Sequence, residues 1–265
     1  MIGASAALVI LTGSTAKTNT ATNDPSTAIL ALRAATADGA ETKGIAQQSK
    51  DAALQQKLQR FQQGIAQAKT LEGALKDPRV LDVLMPALGL DGQQAYPGKV
   101  YRLLTADPAD EKSAVSKLGD STWTAANKTL NLFTGGLAAL KSSATLTDIT
   151  DNYKSFSWRS SLDSKALGVS DALYLKEQAS TVTNVYGILG NSVLRRVVTG
   201  ALNIPEEIAI QPVATQAKAI SSQLDIKKLS DSSYVNKLLE RYVANRASEN
   251  TSSTVGTSSL LSLFS

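Results

Sequence analysis

The 265-residue sequence contains no cysteine and no histidine. Disulfides, thiolate nucleophiles and zinc sites built on Cys or His are therefore excluded. So are Ser-His-Asp and Cys-His mechanisms, which need imidazole as a general base near neutral pH. Aromatic residues make up only 5%, few for the aromatic and β-branched strands of a sandwich or barrel. No apolar run reaches the roughly 18 residues that read as a membrane span. The nearest approach is the stretch Ala4 to Leu11.

What is present is a chain with 43% hydrophobic residues, in which Leu, Ala, Val and Ile must build the core. Ala and Leu are strong helix formers. The charge balance, 27 basic against 23 acidic residues for a net +4, permits a nucleic-acid partner without pointing to one. The most basic spots, Arg195-Arg196 and Lys227-Lys228, lack interleaved aromatics for base stacking. They read as solvated faces, and no nucleic-acid partner is expected. Trp123 and Trp158 read as core anchors, with Trp158-Arg159 a candidate surface cation–π pair.

Helix start signals recur along the chain. Asp-Pro pairs at 24–25, 77–78 and 107–108 each place a capping carboxylate before a proline at the first helical position. After Ser49 or Asp51, the apolar residues Leu54, Leu58, Phe61 and Ile65 draw one stripe along a helix. Thr70 opens a short helix through Leu75, and the helix carrying Val80, Leu81, Val83, Leu84 and Leu88 stops at Gly89. Thr147 or Asp148 opens a long helix ending near Gly168, Ser170 caps the next, and Asn191 or Ser192 starts another. Ile204-Pro205 breaks that run, and 211–224 and 231–246 form two final amphipathic helices. The one candidate strand is a short piece at 207–210. The expected fold is all-α, an irregular domain of eight to eleven helices with flexible terminal tails.

Without His or Cys, catalysis would need another constellation. Ser14 and Lys17 have Ser-x-x-Lys spacing, but the companion motifs of the penicillin-recognising enzymes are missing. Asp148 and Asp151 could share a hard cation, yet an EF-hand loop counted from Asp148 needs glycine where Tyr153 stands. Both read better as a capping and a first-turn carboxylate. Gly135-Gly136 reads as a turn, and Gly187 and Gly190 as close-packing positions or a helix break; neither pair fits a phosphate cradle. No catalytic, cofactor or metal site is expected.

The organisation read from composition is a Ser/Thr/Ala-rich disordered leader over 1–23 and a single helical domain over 24–246. Two lobes, 24–143 and 144–246, are one way to divide it. A flexible tail over 247–265 ends in an apolar tip. In that tip Leu260, Leu261, Leu263 and Phe264 are the candidate partner-binding residues; the plainer alternative is that the tip folds back on the domain. Ser14-Thr15-Ala16 loosely imitates a signal-peptide cleavage site, but Lys17 is the first basic side chain, so no positive region precedes it.

The segments Ala172–Ser180 and Val185–Leu189, with Val197-Val198, Leu202–Pro205 and Leu238–Tyr242, resemble a bacterial domain-of-unknown-function family, the one numbered twelve-seventeen. The blocks Asp77–Leu90, Tyr101–Leu104 and Asn127–Phe133 are similar to that family's first half. The leader offers no match, and Arg159-Ser160-Ser161 stand where the family tends to be acidic. Family members are often encoded among flagellar genes. The resemblance therefore implies a non-enzymatic, flagellum-associated structural or assembly protein working through protein–protein contacts. It implies no catalytic residues. Its partners would be flagellar or other envelope proteins, with self-association as an option, and its place the flagellum or its export apparatus. The alternative is an exported helical binding module of the periplasm or cell surface, unrelated to motility.

Overall fold

A computed structural model of the chain describes residues 24–261, with side chains as far as Glu249. The leader and the tip residues Leu263 and Phe264 lie outside the described residues, and so do the side chains of Leu260 and Leu261. Among the described residues there are fifteen α-helices and four short 3-10 segments, and no strand. The all-α expectation holds. The helix number exceeds the expected one because several long runs are broken into pieces of four or five residues.

Two apolar clusters organise the helices. The first is built by α3 (Ala52–Gln67), α4 (Leu71–Ala74), α5 (Pro78–Ala87), α6 (Pro97–Leu104), α7 (Ala114–Leu118), α8 (Ser121–Leu130) and α9 (Leu132–Leu140). Phe61, Leu75, Leu84, Met85 and Leu104 are fully buried in it, beside Trp123. Asp51 caps α3 and delivers the predicted stripe, with Leu54, Phe61 and Ile65 in the core and Leu58 packed against it. Asp77 and Pro78 start α5 as expected, and Gly89 stops it with φ +71°.

The second cluster joins α1 (Pro25–Thr36) to α11 (Val169–Gln178), α12 (Val185–Leu189), α13 (Ser192–Ala201), α14 (Val213–Ser221) and α15 (Ser232–Leu261). Asp24 caps α1 by accepting from the Thr27 amide at 2.7 Å. From there Ala28, Leu32 and Ala35 turn inward onto Val235, Leu238, Leu239, Tyr242 and Val243 of α15. The long helix α10 (Ser143–Leu162) belongs to both clusters, giving Ile149 and Tyr153 to the first and Trp158 to the second. Its neighbour α2 (Ala40–Gln48) packs along it.

Several local expectations fail for physical reasons. Asp107-Pro108 opens no helix. Asp107 Oδ1 accepts from the Ala109 amide at 2.9 Å and Asp110 Oδ1 from the Lys112 amide at 2.8 Å. Two consecutive Asx turns thus spend the carboxylates on loop backbone before Ser113 caps α7. The helix α10 begins at Ser143, one turn before Thr147, because Ser142 accepts from the Thr145 amide. It ends at Leu162 rather than near Gly168. Gly168 with φ +87°, not Ser170, occupies the N-cap of α11, since the Ser170 side chain is turned onto Asp163. The segment at 207–210 is a 3-10 turn, not a strand. Gly135-Gly136 lies inside α9 as a kink, with Gly136 at φ 53° and ψ −143°.

Tight packing of α2 on α10 rests on Gly44, where an added Cβ would land well inside contact distance of the Trp158 indole. The indole is rigid and buried, so it has no free rotamer into which to retreat. Gly44→Ala should therefore destabilise the fold by about 1–3 kcal/mol despite alanine's better helix propensity. Urea denaturation of the two proteins measures this, and an unchanged or raised midpoint would contradict the packing argument.

Candidate functional site

A cleft of about 900 Å³ runs between the two clusters. One wall comes from the end of α5 and from α8 (Pro86–Gly89, Ser121, Thr122), and the other from α10, α11 and α13. Apolar and polar groups share its lining, the polar ones including Thr122, Asn152, Ser160, Tyr174 and Ser192.

Asn191 ties the two walls. It is buried, and its Oδ1 accepts from the Val193 and Leu194 amides at 3.0 Å each, capping α13. Its Nδ2 donates across the seam to Thr122 Oγ1 at 2.9 Å and, on its own side, to Tyr174 Oη at 3.0 Å. Beside it the Ser121 amide donates to the Gly190 carbonyl at 3.2 Å. A Cβ at Gly190 would stand 3.3 Å from the Gly119 carbonyl oxygen, which is the close-packing role expected of that glycine. The sequence marked Asn191 as a helix start. The bridge was not legible, because Thr122 lies 69 residues away.

The charged groups at the inner end are matched to one another. Asp171 accepts from Arg196 Nε at 2.7 Å and Nη2 at 2.8 Å, and its Oδ2 also accepts from the Tyr242 hydroxyl at 2.9 Å. The paired carboxylate holds the Arg196 guanidinium still further above its ordinary value. Burial, with Asp171 beside it, pushes the Tyr242 hydroxyl well above its own. Arg196 was expected to be a solvated side chain, and this pair corrects that. A bidentate partner on the neighbouring helix organises the guanidinium, although part of the side chain stays exposed. Arg159 pairs with Glu177 instead of stacking on Trp158; the cation over an indole is Lys99, 5.4 Å from the Trp123 ring. Arg246 donates to Glu249 at 3.1 Å, while its Nε is buried without a hydrogen-bond partner among the described groups.

Asp163 is the carboxylate whose environment is most telling. Burial pushes it above its ordinary value, the Ser170 hydroxyl and amide pull it back, and nearby Asp171 pushes it up again. Of the carboxylates singled out for a cation, Asp151 pairs with Lys154 at 2.8 Å and Asp148 is exposed. Among the described residues no group of three or more Asp or Glu side chains could hold a metal ion. Trp123 and Trp158 are both buried, as expected of core anchors. Lys227 and Lys228 sit in the 3-10 turn Ile226–Ser230, with Lys228 Nζ 5.9 Å from the Tyr234 ring.

Outside the cleft the second cluster carries an apolar exterior. Tyr186 on α12 is 59% exposed, Ile210 at the end of the 3-10 turn Glu206–Ile210 is 84% exposed, and Val213 at the start of α14 is 56% exposed. Both α12 and the 3-10 turn pack against α14.

Because the folded Asp163 carboxyl titrates above its unfolded value, the folded chain binds more protons than the unfolded one in that window. Stability contributed here is present at low pH and lost as pH rises from the ordinary value of 3.8 through the raised one. Relative to Asp163→Asn, the natural chain should lose stability across that rise. Parallel unfolding curves between pH 3.5 and 7 check this on the scale of a carboxylate's ordinary titration range, and a constant difference between the two proteins would contradict it.

The comparisons with known proteins fit this architecture. A crystal structure of an Agrobacterium tumefaciens protein, a structural-genomics target, superposes with a TM-score of 0.69 at 24% identity, covering 85% of this chain and 95% of that one. The likeness is one of fold. No curated protein matches. The family model described as "Protein of unknown function (DUF1217)" matches residues 87–235, a span that holds all of the cleft lining but Pro86 and Arg246, together with the apolar exterior. The chain belongs to that family.

Proposed function

We propose that this chain is a non-enzymatic protein of the bacterial flagellum, structural or acting in assembly, that works by protein–protein contact. The observation that carries the contact role is the exposed group Tyr186, Ile210 and Val213 on elements that pack together. Single exposed apolar side chains are ordinary; three on elements that pack together expose apolar area that a partner would cover. The cleft supports the same reading. In it Asp171 pairs with Arg196, Glu177 with Arg159, and Asp163 accepts from Ser170, which suits a contact wall better than proton transfer. The flagellar placement is supported by the resemblance to a family often encoded among flagellar genes.

A chromosomally tagged copy should concentrate at basal bodies or in hook fractions, and deletion should impair swimming. A diffuse tag with normal motility would sink the flagellar reading. In proximity labelling of motile cells, a double variant Ile210→Ser and Val213→Ser should recover its partners at least tenfold less well. Its unfolding free energy should stay within about 0.5 kcal/mol of the natural chain, as surface substitutions do. Undiminished recovery would remove the apolar face from the proposal.

A further inference from the structure

The apolar exterior has a braced centre. Pro205 and Pro212 flank the 3-10 turn Glu206–Ile210, and the buried Gln216 holds it from inside. Its Nε2 donates to the Ala209 carbonyl at 3.2 Å and to the Gln211 carbonyl at 2.7 Å, one on each side of Ile210. Ile210 is thus presented to solvent on backbone fixed at both flanks, so little conformational freedom is left to lose when something covers it.

In a 3-10 turn, residues three apart stand in line. Glu206 and Ala209 therefore share one side, and Glu207 and Ile210 share another. The first pair lines a hollow of about 450 Å³, with the buried Ile204, the half-buried Ile208 and the side chains of Arg195, Arg196 and Arg246. The second pair does not line it and is exposed. The turn is a wall, with a hollow on one side and a projecting isoleucine and carboxylate on the other.

Projection and hollow complement each other. Ile204, Pro205, Ile208 and Ala209 give the hollow apolar ground for a branched side chain. Of its guanidiniums, Arg196 is taken by Asp171 and Arg246 by Glu249. Arg195, like Glu206 and Glu207, enters no ion pair among the described residues. A wall cannot fill the hollow that it bounds, so Ile210 of one copy can enter only the hollow of another. Because both features lie side by side on one face, the contact is reciprocal. A reciprocal contact closes at two copies and does not grow into a fibre.

We propose that this face is an interface between two copies of the chain, with each Ile210 seated in the other copy's hollow and each Glu207 against the other copy's Arg195. The inference rests on the exposed apolar group that carries the contact role above and names a second copy as its occupant.

Sedimentation equilibrium of the purified full chain, from about 1 to about 300 μM to span micromolar affinities, should show monomer and dimer in exchange. Ile210→Ser should raise the dissociation constant at least about tenfold, as loss of an interface anchor does. Glu207→Arg and Arg195→Glu should each weaken the dimer. Carried together in one chain they should restore it, since each copy then offers the exchanged pair to the other. A monomer at every concentration overturns the proposal, and so does growth beyond two copies. A dimer unmoved by Ile210→Ser, or a double exchange that fails to restore association, overturns it as well. The labelling in motile cells reads partners of other chains, so a failure here and a failure of the flagellar reading are told apart.

Discussion

Tyr242 is the side chain on which the second cluster depends. It is fully buried, and its ring is gripped by two glycines from different helices, Gly168 at the start of α11 and Gly200 in α13. A Cβ at either would come within 2.9 Å of ring carbons. The hydroxyl cannot be left unpaired at that depth, and Asp171 accepts from it while also holding Arg196. One side chain on α15 thereby fixes α11 and α13 by shape and by hydrogen bonding together. The position of α1 follows, since α1 lies on the α15 that Tyr242 anchors.

The first cluster is attached through fewer and different contacts. Helix α10 enters both cores, and Asn191 with the Ser121–Gly190 backbone bond closes the seam at a second place. A junction of this kind, one shared helix and a short polar seam, leaves the space between the clusters open as a cleft. Apolar packing would have filled it. Asn191 with Thr122 and Tyr174, and Asp171 with Arg196, hold one another there, so the seam keeps its geometry without closing.

Legibility in the sequence divided along the line between local and non-local causes. Caps such as Asp24, Asp51, Thr70, Asp77 and Asn191 are read within three residues, because the carboxylate, amide or hydroxyl bonds an amide two or three positions ahead. The same rule misled at Asp107, where a second aspartate three residues on offered the backbone a competing turn. It misled again at Ser170, whose side chain was claimed by Asp163 from the preceding segment. Arg196 looked like a solvated charge because its partner is 25 residues upstream. No periodicity marks such a pair.

By itself the sequence determined the helical class, the start and stop of many helices and the identity of the core side chains. These depend on propensity, capping and a 3.6-residue period, all of which act within a few residues. Its lack of cysteine and histidine also determined which chemistries are unreachable, because that is a matter of functional groups rather than of place. Only the tertiary structure decided which helices share a core, that Asn191 spans a seam, and that Asp171, Arg196 and Tyr242 meet. It alone decided that α1 packs on α15. Those outcomes are set by side chains packing across tens to hundreds of residues, where shape and hydrogen-bond satisfaction choose among arrangements that local preference leaves equivalent.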